Sequence, residues 1–230
     1  PYNYCMNNPV NAIDSNGEKI VFVNGFLGFG SPTGGSAYWG GTNSSFVRGA
    51  QAFLQDKSTY FANIEYNYWR SSTFLRNLDG YNYAKENYSQ LINGMNSKDV
   101  FHFVSHSMGG AFSEGMIRYL EEQGWTVNTV FHLNAWQPTE LYGVKGPLRV
   151  DATITNDWVQ GLSPISGNRD IPNADYKIRK KSTKEWKSIH RDLIDDGDFW
   201  NINNEMSWND AMSLIQKWIQ QNPNIKVNGN

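Results

Sequence analysis

The chain carries one cysteine, Cys5, in 230 residues. A lone thiol closes no intramolecular disulfide and supports no cysteine-based zinc site. No run of about 18 apolar residues occurs, so the sequence offers no helix long and apolar enough to cross a bilayer. Charge is sparse: charged residues are 18%, the net charge is -2 and the pI is about 6.1. The one cationic run, "KIRKKSTKEWK" at 177–187, is broken up by other residues and reads as a solvated strand and loop. Nucleic acid is therefore not an expected partner. Neither GxxxxGK[ST] nor GxGxxG is present, which removes the two common phosphate-cradling loops. No internal repeat is visible.

What is present is a globular composition, with 39% hydrophobic residues and 14% aromatics, including nine tryptophans and twelve tyrosines. The length suits one sizeable domain with a single core. Residues 1–18, "PYNYCMNNPVNAIDSNGE", have no amphipathic period and read as a loop-rich arm. From residue 19 strand and helix patterns alternate. Strands are expected at 19–25, 60–66, 98–107, 127–135, 150–157 and 174–181, and helices at 44–56, 83–95, 108–124 and 206–223. Gly124 is the expected cap of the third helix and Pro223 the stop of the last. Such alternation predicts an α/β fold with a mostly parallel central sheet and helices on both faces. The stretches 66–83 and 133–148 are rich in aromatics and long for plain connections, so they are expected to cover a functional groove.

The sharpest junction is "FHFVSHSMGGAF" at 101–112. An apolar strand meets a tight turn and then a helix, the pattern of a nucleophile elbow. The turn holds its central serine in a strained backbone, so residues two before and two after must be small. Ser105 and Gly109 occupy those places around Ser107, with Ser105 replacing the more usual glycine. A plain helix cap at Ser107 is the competing interpretation. A serine hydroxyl needs a base and the base needs an orienting acid, in the chain order Ser, Asp or Glu, His. Only His132 and His190 follow Ser107. His132 lies inside an expected strand and reads as a packed core residue, so His190 is the candidate base. Asp157, at an expected strand end, is the candidate acid, with Asp170 and Asp175 left open. Asp151 is expected at the opposite end of that strand, facing away. Asp192, Asp195 and Asp196 read as surface charges or a cation site. The amide of Met108 and that of Phe26, in "VNGFLGFGSP" at 23–32, are the candidate oxyanion donors.

These stretches together resemble the α/β-hydrolase lipases. "VNGFLGFG" is similar to the "VHGFxGF" loop of the larger bacterial triacylglycerol lipases, "YWGG" (38–41) recurs in that group, and "SHSMGG" is similar to their "GHSMGG". The resemblance covers roughly residues 19–192, and Asn24 and Ser105 depart from it. It implies the α/β-hydrolase fold and hydrolysis of lipid or phospholipid acyl esters with Ser107 as nucleophile, Asp157 and His190 resting on their order and position in the chain. No cofactor is expected, and no metal, since no second cluster of His and Asp is present to build the zinc site of those larger lipases. A thioesterase or acyltransferase, or a non-catalytic binding domain of the same fold, are the alternatives. Tyr2-x-Tyr4, Asn8-Pro9 and Asp14-x-x-Gly17 resemble the boundary motif that closes an RHS-repeat core. That resemblance implies a division into a boundary segment, 1–18, and a catalytic domain, 19–230. It further implies a bacterial effector or toxin, exported or delivered as part of a longer protein, with an RHS carrier and a cognate immunity protein as partners and contact with a membrane surface.

Overall fold

The computed structural model describes residues 18–27, 33–64, 72–141, 145–157, 159, 170–184, 188–195, 199–200, 213–217 and 220. Six strands form one sheet: β1 (Glu18–Val23), β2 (Thr59–Ala62), β3 (Val100–His106), β4 (Thr126–Leu133), β5 (Leu148–Ile154) and β6 (Tyr176–Lys180). Their spatial order is β2-β1-β3-β4-β5-β6 and every pair is parallel. The chain enters at β1, steps outward to β2, then crosses back to lay β3 on the other side of β1. The order therefore reverses between β1 and β3, and a crevice for ligands opens at the C-terminal ends of these two strands.

The strands read as continuous apolar runs because both faces are covered. In β1, Ile20 and Phe22 pack into one core cluster while Val21 and Val23 pack into another. The first cluster takes Phe46, Val47 and Phe53 from α1 (Ser45–Leu54) and Ile189, Leu193 and Ile194 from the region of α5 (Asp192–Asp195). Ser44 caps α1, its hydroxyl accepting from the Val47 amide at 3.2 Å. The second cluster takes Ala84 from α2 (Thr73–Glu86), Leu91 from α3 (Tyr88–Leu91), and Phe112, Met116, Ile117 and Leu120 from α4 (Gly109–Glu122). Helices thus lie on both faces, as the alternating pattern predicts.

The expected strands and the helices at 44–56 and 108–124 fall where the sequence placed them. One element was misplaced. The helix expected at 83–95 instead begins at Thr73 and breaks at Asn87, whose side chain donates to the Tyr83 carbonyl at 2.9 Å. The reason lies in which face is buried. α2 buries Thr73, Arg76, Gly80 and Ala84, and exposes Phe74 (72%), Leu75 and Leu78. Its inward stripe is polar and small, so no apolar period marks it. Two glycines explain why: a Cβ on Gly80 would stand 1.9 Å from the Phe112 carbonyl oxygen, and one on Gly115 would stand 1.8 Å from that of Asn77. α2 and α4 cross backbone against backbone. Of the expected 1–18 arm, residues 1–17 lie outside the described residues, while Glu18 belongs instead to β1. Most of the last expected helix, of which 213–217 are helical, also lies outside them.

Candidate active site

Ser107 sits between β3 and α4 with φ at 55°, in the left-handed region that a non-glycine residue enters only at a cost. Three hydrogen bonds hold it there. Its amide donates to the Leu133 carbonyl at 3.0 Å, and its own carbonyl accepts from Gly110 at 3.2 Å and Trp136 at 3.0 Å. It is not a helix cap: the N-cap of α4 is Met108, and no side chain bonds there. Gly109 must be glycine because a Cβ would lie 2.5 Å from the Asn24 carbonyl oxygen and 2.6 Å from that of Val23. A Cβ on Gly25 would fall 2.8 Å from the Cβ of Ser107. The loop after β1 and the elbow after β3 therefore pack in backbone contact at the mouth of the crevice.

The candidate oxyanion donors come from these two segments. Met108 opens α4, where the first amides have no intrahelical acceptor. Phe26 is half-buried and packs against the cluster containing Met108. Residues 28–32 of the glycine-rich loop lie outside the described residues. Asn24, where the lipases have histidine, is fully buried and works as a latch. Its amide nitrogen donates to the carbonyls of Gly25 at 2.8 Å and Ile64 at 3.1 Å, and its oxygen accepts from the Ile64 amide at 3.2 Å.

Asp157 lies three residues past β5, fully buried, and its Oδ2 is 2.6 Å from His190 Nδ1. Its Oδ1 accepts from the Val159 amide at 3.0 Å. With Nδ1–H on the carboxylate, His190 presents Nε2, which is enclosed and has no partner among the described residues. The ring centroid of His190 is 4.7 Å from that of His106, the neighbour of Ser107 in the chain. The His190 carbonyl accepts from His106 Nε2 and from Asn134 Nδ2, both at 2.8 Å. Asn134 also receives the Ile154 amide on its oxygen at 2.7 Å, so it joins the ends of β4 and β5 to the histidine turn.

The alternative acids have other bonds. Asp170 pairs with Arg179 and with Lys177 at 3.2 Å, and Asp175 accepts from the Arg149 amide at 2.8 Å. Asp151 lies within β5 rather than at its end, and is buried against Arg179 at 2.7 Å. Asp192 is not a surface charge: it is 5% exposed and ion-paired to Lys184 at 2.6 Å, because α5 turns it inward. Asp195 pairs with Arg191 at 3.3 Å, and Asp196 lies outside the described residues. Among the described residues no group of three His, Cys, Asp or Glu could hold a metal.

Beneath the elbow runs a chain of contacts the sequence did not announce. Ser105 Oγ is 2.7 Å from His132 Nδ1, His132 Nε2 is 3.0 Å from Glu114, and Glu114 receives both Nε and Nη2 of Arg149 at 2.8 and 2.9 Å. His132 is indeed packed in the core, but as part of a hydrogen-bonded series across β3, β4, α4 and β5. The two long aromatic stretches also meet. Thr73 donates to Glu140 at 2.7 Å and Arg76 to Gln137 at 2.7 Å. Beside them a cleft of about 310 Å³ opens between α2 and α4, lined by Phe74, Asn77, Ala111 and Leu141 among others.

No family model matches the chain, and no curated protein matches it. Solved structures similar to it include an esterase/lipase from an uncultured bacterium, at 9% identity and a TM-score of 0.46, covering 90% of this chain and 77% of that one. A Listeria innocua gene product matches at 11% identity and a TM-score of 0.47, covering 83% and 96%. The Francisella virulence factor BioJ matches at 9% and 0.44, covering 89% and 77%. At such identities and scores the site must be read from its own geometry. By its own topology, with six parallel strands, helices on both faces and a strand–turn–helix carrying Ser107 at positive φ, the chain has the α/β-hydrolase fold.

Proposed function

We propose that this chain is a serine ester hydrolase that cleaves acyl esters of lipid or phospholipid type. The observation that carries the proposal is the buried Asp157–His190 contact at 2.6 Å, with His190 Nε2 unbonded among the described residues and the His190 ring 4.7 Å from that of His106, the neighbour of Ser107 in the chain. Ser107 Oγ attacks the ester carbonyl and its proton passes to His190 Nε2. Asp157 fixes the tautomer and stabilises the imidazolium, without itself taking the proton. The amides of Phe26 and Met108 face the developing oxyanion. The C–O bond then breaks, His190 protonates the leaving alcohol, and water repeats the sequence on the acyl-serine, releasing the acid. The lipid preference draws its support from the resemblance of "VNGFLGFG", "YWGG" and "SHSMGG" to the lipase loops. The RHS-type boundary at residues 2–17 supports delivery to a target cell as part of a longer protein, with an immunity protein as partner.

The test is hydrolysis of chromogenic acyl esters of graded chain length and of phospholipid vesicles by the purified chain. Turnover is expected from the wild type and none from Ser107→Ala. Asp157→Asn should lower kcat by about 10⁴-fold. A folded Ser107→Ala protein with wild-type turnover would remove the assignment.

A further inference from the structure

Tyr38 belongs to a short 3-10 turn, Gly35–Trp39, that carries none of the proposed catalytic atoms. It is nevertheless 2% exposed and stands where the two halves of the site meet. Its hydroxyl packs against Gly25, at the root of the oxyanion loop, and lies 2.8 Å from where a Gly25 Cβ would be. The same hydroxyl is 2.6 Å from His106 Nδ1, and His106 Nε2 is 2.8 Å from the carbonyl of His190. The direction of these bonds follows from chemistry. A carbonyl only accepts, so Nε2 of His106 carries the hydrogen. Burial, together with the neighbouring His190 and Arg191, holds the His106 pKa well below the usual histidine value, so the ring is neutral. Nδ1 is then a bare acceptor and the phenol must donate to it. Burial pushes the Tyr38 pKa up to about 12, which keeps that proton in place.

The result is one head-to-tail series, Tyr38 O–H to the ring of His106 to the backbone of His190, with the Tyr38 hydroxyl seated against Gly25. Such series polarise in one sense and resist distortion as a unit. Arg191, next to His190, closes the loop from outside. Its guanidinium lies 4.5 Å over the Tyr38 ring and donates to the Tyr38 carbonyl at 2.7 Å.

We propose that Tyr38 and His106 are positioning residues that lock the oxyanion loop and the loop of the base into a single geometry around Ser107. The inference rests on the ester-hydrolase assignment above. Tyr38→Phe deletes one oxygen and keeps the ring under Arg191. A displacement of about 1 Å at a reacting group costs roughly 10²-fold in rate. The substitution should therefore lower kcat by about 10- to 100-fold and leave KM within about twofold. In a His106→Gln background the same substitution should cost much less, because the series is already cut. Tyr81→Phe, which removes an exposed hydroxyl bonded to Glu122, should leave kcat unchanged.

A second measurement needs no substitution. In the intact protein, nitrogen-15 NMR of the His106 ring should show a protonated Nε2 and an unprotonated, hydrogen-bonded Nδ1 at neutral pH. Full kcat in Tyr38→Phe, equal losses in both backgrounds, or an Nδ1–H ring at His106 would each overturn the relay. In those cases Ser107-dependent hydrolysis by the wild type would leave the hydrolase assignment standing. Absence of any Ser107-dependent hydrolysis would remove both.

Discussion

Glu114 is 3% exposed and remains a carboxylate. Burial alone would push its pKa up, but the hydrogen bonds from His132 and Arg149 and the charge of Arg149 outweigh burial and hold it at about 2. A pKa lowered by folding stabilises the native state above the unfolded value, 4.5, and that contribution is lost as the pH falls toward 2. The shift corresponds to about 3 kcal/mol. Glu114→Gln should therefore lower stability at pH 7 by about 3 kcal/mol or more, since it leaves the buried Arg149 without its counter-charge. It should also flatten the acid limb of stability between pH 4.5 and 2 in denaturant titrations, and an unchanged limb would exclude Glu114 as its source. At this scale the sequence told half the story. Ser105 was legible as a small residue where a large one would clash. Its hydrogen bond to His132 was not legible, because the partners lie 27 residues apart and meet only through the register of β3 and β4. Asn24 and Tyr38 were hidden for the same reason: a latch to residue 64 and a bond to residue 106 carry no local pattern.

Elements were legible where burial follows hydrophobicity and illegible where it does not. β1, β3 and β4 announced themselves as apolar runs, and α4 by its glycine end, Gly124 at φ 85°. α2 did not, because it buries Thr73, Arg76 and Gly80 and leaves Phe74 to solvent. The α2–α4 crossing makes a prediction in which two effects oppose. Replacing a mid-helix glycine with alanine gains up to about 1 kcal/mol in helix propensity. At Gly80 or Gly115 the added methyl would meet a backbone carbonyl within 2 Å, and backbone cannot swing aside. Packing should win, with Gly80→Ala and Gly115→Ala each destabilising by about 2–4 kcal/mol, read from the urea midpoint. Alanine that stabilises at either position would show that the helices stand further apart.

At the scale of the whole molecule, the sheet has a direction. All six strands run the same way, so every strand start lies at one edge and every strand end at the other. Glu18 is at the first edge, bonded to His102 at 2.9 Å, while Asn24, Ser107, Asn134 and Asp157 gather past the second. Six residues of strand separate the two by about 20 Å. A chain beginning at Asn16 should therefore hydrolyse esters at a rate within about twofold of the full chain. A folded but inactive product would mean that residues 1–15 contribute to the site. The parallel sheet then has a bearing on any carrier joined ahead of Glu18. On the proposed function, a carrier joined ahead of Glu18 would meet the sheet at its strand-start edge, away from Ser107, and turnover should not require its removal. On that same proposal, severing such a carrier would change the reach of the activity, from a leashed sphere around the attachment point to free diffusion, and leave the rate at each encounter as it was.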